Sequence, residues 1–168
     1  MSIPMASALA DPVCTLLGLG VGGHCIPINP FYLMANNNLP LLEQATTTTW
    51  SRPHLIARDF YKQCETHLGR APRVLVIGMG FKPGQSVIDC SPAVSFAQEL
   101  MRIGCDDLAF YDPLVEQKQM TWIRKLSEED FDSEHVDAAF DAVAVCTKQE
   151  GVDWVVIKRL QKALVRWY

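Results

Sequence analysis

The sequence lacks the signals of several common protein classes. Its 168 residues contain no run near the roughly 18 apolar residues of a membrane-spanning helix. The first segment, MSIPMASALADP, has neither the basic start nor the long apolar stretch of a secretion signal. The net charge is -4 with a pI of about 5.5 and no concentrated basic patch, so neither nucleic acid nor a membrane is expected as a partner. We therefore expect a cytoplasmic protein.

Paired cysteines are also missing. The chain has six cysteines, but none forms a C-x-x-C pair and no histidine lies at zinc-finger spacing. This pattern predicts reduced thiols in an intracellular protein, with no metal site. What the chain has instead is apolar character, because hydrophobic residues make up 49% of it and its mean hydropathy is +0.07. Such a composition indicates a buried partner surface.

Two regions separate along the chain, residues 1–69 and residues 70–168. The first begins with a loop rich in Gly and Pro and continues with helical periodicity over residues 31–69. Pro53 is predicted to open a second helix there, and Gly69 to end it. The Met and aromatic residues at helical spacing in this segment predict either core or a dimer interface.

The second region alternates apolar runs with amphipathic stretches. RVLVIG, DLAFYD and AVAVC are predicted as three strands. SPAVSFAQELMRIG is predicted as a helix with Ser91 as N-cap, Pro92 in the first turn and Gly104 at the end, and DWVVIKRLQKAL as a final helix. The predicted fold class is α/β, with a helical dimerisation segment followed by a small Rossmann-like parallel sheet with flanking helices.

The loop GLGVGGHCIPINP, residues 18–30, is the strongest candidate for chemistry. Its glycines allow tight turns and close approach to a ligand. Cys25 on such a loop could attack a carbonyl as a thiolate, with His24 beside it. The alternative is a Gly-rich turn with a buried cysteine, and spacing alone favours that alternative.

Two further places are candidates for ligand contact. VLVIGMGFKPG carries Phe81 and Lys82 after a predicted strand, but its G-x-G-x-x-x-G spacing and its distance from the next helix make it a weak nucleotide signal. Tyr111 and Asp112 end the second predicted strand, in the zone where open parallel sheets bind ligands. The alternative for Asp112 is a turn residue before Pro113.

Together these motifs resemble the UDP-glucose/GDP-mannose (nucleotide-sugar) dehydrogenase family. GVGGHCIPINPFYL is similar to the family's catalytic segment G-x-G-G-x-C-x-P-x-D-P-x-Y-L, and TTTTWSRP to the end of its central dimerising helix. VLVIGMGFKPGQSVIDCSPA resembles V-L-G-x-x-F-K-P-x-x-x-D-x-R-x-S-P-A, which opens the nucleotide-sugar-binding domain. FYDP and AVAVCT resemble later strands of that domain, so the resemblance covers roughly residues 15–157.

The resemblance implies roles for several residues. Cys25 would be the nucleophile that forms a thiohemiacetal and then a thioester while an alcohol is oxidised to an acid. An N-terminal Rossmann domain binds NAD in that family. Lys82 would contact the substrate, the C-terminal domain would hold UDP, and the chain would form a homodimer through residues 31–69.

Several residues depart from the family pattern. The aspartate of C-x-P-x-D is Asn29, whose amide cannot take a proton from water. The arginine of D-x-R is Asp89, which repels a diphosphate, and T-x-H is TKQ at residues 147–149. No G-x-G-x-x-G opens the chain, and the family's last strands are missing unless ALVRWY forms one. We therefore expect no bound cofactor and no oxidation of a UDP-sugar by this chain alone.

Three functions remain open from the sequence. The favoured one is a repurposed, cofactor-free enzyme of isomerase, cyclase or lyase type that acts on a small molecule, in the manner of secondary metabolism. The second is a split dehydrogenase that receives its NAD domain in trans, and the third is a non-catalytic regulatory protein that dimerises with a full-length relative. The candidate catalytic residues are Cys25, His24 and Asn29, and the candidate substrate-binding residues are Lys82, Phe81, Asp112 and Tyr111.

Overall fold

A computed structural model describes residues 18–168; residues 1–17, with Cys14, lie outside the described part. Helices and strands alternate after two initial helices. The elements are α1 (Asn29–Met34), α2 (Pro40–Leu68), β1 (Val74–Ile77), α3 (Pro92–Arg102), β2 (Leu108–Tyr111), β3 (Arg124–Lys125), α4 (Ser133–Ala139), β4 (Ala142–Val145), α5 (Trp154–Lys158) and β5 (Leu164–Trp167), with a 3₁₀ turn at Gln117–Gln119.

The strands form one five-stranded sheet in the order β3-β2-β1-β4-β5, and each neighbouring pair is parallel. The predicted α/β class with a Rossmann-like parallel sheet is confirmed, and β1, β2 and β4 are the three strands that the sequence predicts. The predicted number of strands is wrong. The missed strand β3 has only two residues, both polar, so it carries no apolar signal.

The prediction of a long final helix is also wrong, because α5 ends at Lys158 and the chain then enters β5. The Asp137 carboxylate accepts hydrogen bonds from the backbone N–H groups of Gln161, Lys162 and Ala163 at 2.8–3.1 Å. These bonds fix the turn that leads into β5, where Leu164 pairs with Ala142 of β4. A tertiary contact therefore overrides the helical propensity of this segment.

The long helix α2 is continuous over 29 residues, so the prediction that Pro53 opens a second helix is wrong. Pro53 is buried inside the helix, where its ring packs against Gly20. Side-chain hydroxyls of the preceding turn bond to helix carbonyls, as Thr49 Oγ1 donates to the Ala45 carbonyl at 2.8 Å. The predicted end is confirmed, since Gly69 takes a left-handed conformation (φ 68°) after Leu68.

The core lies on both faces of the sheet, because successive residues of a strand point to opposite sides. Val74 and Val76 of β1 face a cluster that includes Phe60 of α2 and Phe96 of α3. Leu75 and the other alternate residues face a second cluster under α4 and α5. Helix α2 is thus part of the first core, and the predicted division into domains at residues 69 and 70 stays a prediction. None of the described helices is long and apolar enough to cross a membrane.

One buried carboxylate joins α2 to α3. Glu99 is only 4% exposed, and it accepts hydrogen bonds from Arg58 of α2 and from Arg102 at 2.6 and 2.8 Å. His54 of α2 lies 3.4 Å from the same carboxylate. The hydrogen bonds from Arg102 and Arg58 hold the pKa of Glu99 at about 2, below its ordinary value of 4.5. This cluster fixes the C-terminal half of α2 on the sheet.

We expect the substitution Glu99→Gln to lower the free energy of unfolding by about 1–2 kcal/mol at neutral pH, because charge-assisted bonds become neutral ones. The Glu99 pKa is depressed in the folded state, so the stabilisation is complete above pH 4.5 and is lost as the pH falls toward 2. Urea unfolding of both chains between pH 2.5 and 7 measures it. Glu129→Gln, the same substitution at an exposed position, is the matched control with no expected change. An equal deficit for Glu99→Gln at every pH would contradict this assignment.

Candidate functional site

The segment from Gly18 to Ile28, here called the Cys loop, is held by α2 at both of its ends. Arg52 donates from Nε to the Gly18 carbonyl at 3.0 Å, and Trp50 donates from Nε1 to the Pro27 carbonyl at 3.2 Å. Within the loop, the Cys25 carbonyl accepts backbone N–H groups from Ile28 and Asn29 at 3.2 and 2.9 Å. Cys25 therefore sits on a defined turn at the start of α1.

The Cys loop packs against residues 78–91, the segment between β1 and α3, here called the β1–α3 loop. A Cβ at Gly22 would lie 2.9 Å from the Cβ of Phe81 and from the Cys90 carbonyl oxygen. Only glycine allows this approach of the two backbones. Gly23 has a φ of 100°, and a Cβ at this residue would lie 3.1 Å from Cε2 of the Phe81 ring. The contact brings the two loops that the sequence singles out to the same place.

Four side chains gather around this contact, and three of them are candidate site residues. His24 lies edge-on to Phe81 with 6.4 Å between ring centroids, and Lys82 Nζ lies 5.3 Å from the Phe81 centroid. His24 Nε2 is also 3.6 Å from an Asp89 carboxylate oxygen, with both side chains largely exposed. From the sequence alone, Asp89 is expected only to repel a diphosphate. The spacing of the two residues along the chain does not indicate that Asp89 faces His24.

Cys25 differs from most other described cysteines in its exposure. Its side chain is exposed and Cys90 is half-buried, whereas Cys64, Cys105 and Cys146 are buried. The alternative of a buried cysteine in a Gly-rich turn is therefore wrong. Burial raises the pKa of Cys64 to about 11 and that of Cys105 to about 12, and it raises the pKa of Cys146 as well.

Asn29 is the first residue of α1, and its side chain is exposed one turn after Cys25. Its backbone N–H bonds to the Cys25 carbonyl, so the two residues belong to one turn. An exposed amide at this point can orient a ligand by hydrogen bonds, but it cannot act as a base toward water. The candidate catalytic role of Asn29 stays a prediction.

Asp112 and Tyr111 lie at the end of β2, as predicted, but their side chains point into the protein. Tyr111 stacks on Phe131 with 3.7 Å between ring centroids, and burial raises the pKa of its hydroxyl. Asp112 is fully buried and accepts the N–H groups of Leu114 and Val115, which is the turn role considered as the alternative. Contact of Tyr111 or Asp112 with a ligand stays a prediction. In the described structure both side chains are buried, so neither is exposed to a ligand.

A surface cavity of about 360 Å³ lies away from the Cys loop, beside residues that precede β1, β4 and β5. Its acidic groups already have partners, because Asp141 is bound by Arg70 and Arg73 and Asp137 accepts three backbone N–H groups. Among residues 18–168, no group of three or more His, Cys, Asp or Glu side chains is placed to hold a metal ion.

The exposure pattern predicts an order of thiol modification. In a short pulse of iodoacetamide on the folded chain at pH 8, Cys25 should be alkylated first and Cys90 more slowly. Cys64, Cys105 and Cys146 should react at least about tenfold more slowly, because their thiolates are disfavoured by burial. Peptide mass spectrometry measures each site, and the urea-unfolded chain is the control in which the differences vanish. Equal labelling of Cys25 and Cys146 in the folded chain would contradict the described exposure.

Comparison with known proteins places this arrangement in a family. Relatives include the UDP-N-acetyl-D-mannosamine dehydrogenase of Campylobacter jejuni, 26% identical over 102 residues that cover 60% of this chain and 25% of that protein. A similar solved structure is the UDP-D-ManNAc dehydrogenase of Pyrococcus horikoshii, with a TM-score of 0.68 and 24% identity; the match covers 89% of this chain and 35% of that chain. Another is the GDP-mannose dehydrogenase of Pseudomonas aeruginosa, with a TM-score of 0.66 and 19% identity; the match covers 89% of this chain and 36% of that chain. These structural likenesses show the fold.

The chain spans about a quarter of the length of the curated relative from Campylobacter jejuni. Residues 75–166, more than half of the 168, match the UDP binding domain of the UDP-glucose/GDP-mannose dehydrogenase family. The match begins in β1 and ends in β5, so it takes in the whole described sheet. The chain therefore belongs to the UDP-glucose/GDP-mannose dehydrogenase family.

Proposed function

We propose that this chain binds a nucleotide sugar on the surface where the Cys loop and the β1–α3 loop meet, and that it does not by itself oxidise that sugar to an acid. The observation that carries the proposal is the contact of these two loops, in which His24 lies edge-on to Phe81 and the exposed Cys25 follows His24 in the chain. The family's matching domain binds UDP, and the relative from Campylobacter jejuni is named for a UDP-sugar.

Three features of the contact suit such a ligand. Lys82 is exposed and supplies a positive charge for a phosphate. The half-buried Phe81 offers an apolar ring beside it, on which a sugar or base can pack. Cys25 is exposed beside His24 on the Cys loop, so its thiol is available to a bound molecule.

Two residues of the described part, Asn29 and Asp89, support the proposed loss of oxidation. Release of an acid from a thioester needs an activated water, and the amide of Asn29 cannot accept a proton from it. Asp89 places a negative charge where a diphosphate would meet an arginine in the family pattern, which weakens nucleotide binding. Both side chains are exposed, so neither exchange disturbs the fold.

Calorimetric titration with UDP and with UDP-N-acetylmannosamine tests the binding. We expect Asp89→Arg to tighten UDP binding about tenfold, because repulsion becomes attraction, and Lys82→Ala to weaken it by a similar factor. Glu65→Arg makes the same charge change on an exposed position near the far end of α2, and it should alter UDP affinity little.

Two results would overturn this proposal. Absence of UDP binding in the unaltered chain and in Asp89→Arg would remove the nucleotide site. Formation of NADH when NAD and a UDP-sugar are added to the purified chain would show that oxidation persists. The same reaction with a separate NAD-binding domain added tests the split dehydrogenase, which the altered Asn29 and Asp89 disfavour.

A second candidate function is favoured by the pairing of His24 with Asp89. A histidine beside a carboxylate can move protons without a redox cofactor, which is the chemistry of an isomerase, cyclase or lyase. Mass spectrometry of host metabolites retained by the purified chain identifies such a substrate. Turnover that survives Cys25→Ala but not His24→Ala would support this candidate over thiol chemistry, and retention of UDP-sugars alone would remove it.

We also propose that the chain forms a homodimer through residues 31–69. In the N-terminal part of α2, from Pro40 to Arg52, only Thr46 is buried, although apolar side chains are frequent there. Tyr32 is 76% exposed and Leu41 is 83% exposed, which is costly for a monomer in water. The other exposed apolar side chains of this surface are Phe31, Leu33, Leu39, Trp50 and Leu55.

Light scattering after gel filtration measures the assembly. We expect a dimer that the substitution Leu41→Glu weakens at least about tenfold, because a charge would be buried at the interface. Val155→Glu places the same charge on α5, at another exposed apolar position, and should leave the dimer intact. A monomeric unaltered chain would contradict the proposal, and a complex formed only with a full-length family member would favour the regulatory function instead.

A further inference from the structure

A buried polar cluster lies directly beneath the β1–α3 loop and is not part of the surface described above. Its centre is Gln149, which is 1% exposed and follows β4. Buried amides are stable only when their donors and acceptors are all matched. The hydrogen-bond partners of Gln149 therefore show which part of the backbone its side chain fixes in place.

The Gln149 side chain is matched at both ends. Nε2 donates to the Gln85 carbonyl at 2.9 Å and to an Asp112 carboxylate oxygen at 3.2 Å. Oε1 accepts the backbone N–H of Gly84 at 2.7 Å and that of Glu150 at 3.1 Å. One amide thus binds the middle of the β1–α3 loop, and the bond to the Asp112 carboxylate fixes the orientation of that amide.

Asp112 binds the other part of the same loop. Its Oδ2 accepts the backbone N–H groups of Met79 at 2.7 Å and Gly80 at 3.1 Å. Thr147 Oγ1 adds a bond to the Gly80 carbonyl at 2.9 Å. The loop is therefore attached at its start by Asp112 and at its middle by Gln149, and these two side chains bond to each other.

The attached segments flank two residues of the proposed nucleotide-sugar site. Phe81 and Lys82 lie between the segment held by Asp112 and the segment held by Gln149, and Lys82 is exposed. A Cβ at Gly80 would lie 2.3 Å from the Gln85 carbonyl oxygen and 2.9 Å from Gln149 Nε2, so the loop is closed tightly on the cluster. A loop closed in this way presents its tip in one shape.

We propose that Gln149 and Asp112 are positioning residues that hold the β1–α3 loop in the shape that presents Phe81 and Lys82 to the ligand. The inference rests on the proposed nucleotide-sugar site for its functional meaning. The shape of this site then depends on the neutral side-chain amide of Gln149, which makes four hydrogen bonds and is buried out of reach of the ligand.

Amide hydrogen exchange read by NMR tests the loop first. In the unaltered chain, the amides of Gly84 and Met79 should exchange slowly although they lie outside the sheet and helices. Gln149→Met keeps the length of the side chain and removes its bonds, and it should speed exchange at Gly84 at least about tenfold. Lys148→Met introduces the same side chain at the adjacent exposed position and should leave Gly84 unchanged.

UDP titration then separates positioning from general stability. Gln149→Met should weaken UDP binding about tenfold. Val143→Ala, which removes methyl groups from the core of β4, is the control that lowers stability without touching the loop and should keep the affinity. Fast Gly84 exchange in the unaltered chain, or unchanged exchange in Gln149→Met, overturns the attachment. Faster exchange with unchanged UDP affinity overturns the positioning role. If the unaltered chain does not bind UDP, the nucleotide-sugar function fails, while the exchange data still decide the attachment.

Discussion

The attachment of α2 to α3 determines where the exposed thiol lies. Glu99 binds Arg58 and Arg102 at one place, and Phe60 packs against Phe96 nearby, so the long helix has a fixed position on the sheet. The Cys loop is bound to the middle of that helix, because the Trp50 and Arg52 side chains donate hydrogen bonds to its backbone carbonyls. If α2 shifted, Cys25 would move away from the β1–α3 loop, and the candidate site would not exist.

Much of the sheet could be predicted because its signals are local. The runs in β1, β2 and β4 are apolar and flanked by turn residues, and α3 has an N-terminal proline and an amphipathic pattern. The two-residue strand β3 carries no apolar signal. β5 lies in ALVRWY, where the sequence leaves a strand open, because its place in the sheet depends on a partner elsewhere in the chain, the Asp137 carboxylate. The same holds for α2, where burial of Pro53 outweighs its local cost.

The candidate site shows the same division. Cys25, His24 and Lys82 could be selected from residue type and loop composition, and the structure does bring their two loops together. The pairing of His24 with Asp89 and the attachment of the loop by Gln149 could not be predicted, because each joins residues far apart in sequence. The strand-end position of Asp112 predicts contact with a ligand, yet the position alone does not determine whether the side chain faces the ligand or the interior.

The kind of residue found at each position that departs from the family pattern depends on whether that position is exposed or buried. Asn29, Asp89 and Lys148 are exposed, and at such positions a substitution changes the chemistry offered to a ligand with little effect on folding. At the buried position of this set, Gln149, all hydrogen-bonding groups of the new side chain have partners. A sequence drifting without constraint would leave unmatched polar atoms in the interior, and the described residues contain no such buried side-chain atom. The pattern is what selection for a folded protein with altered site chemistry would produce.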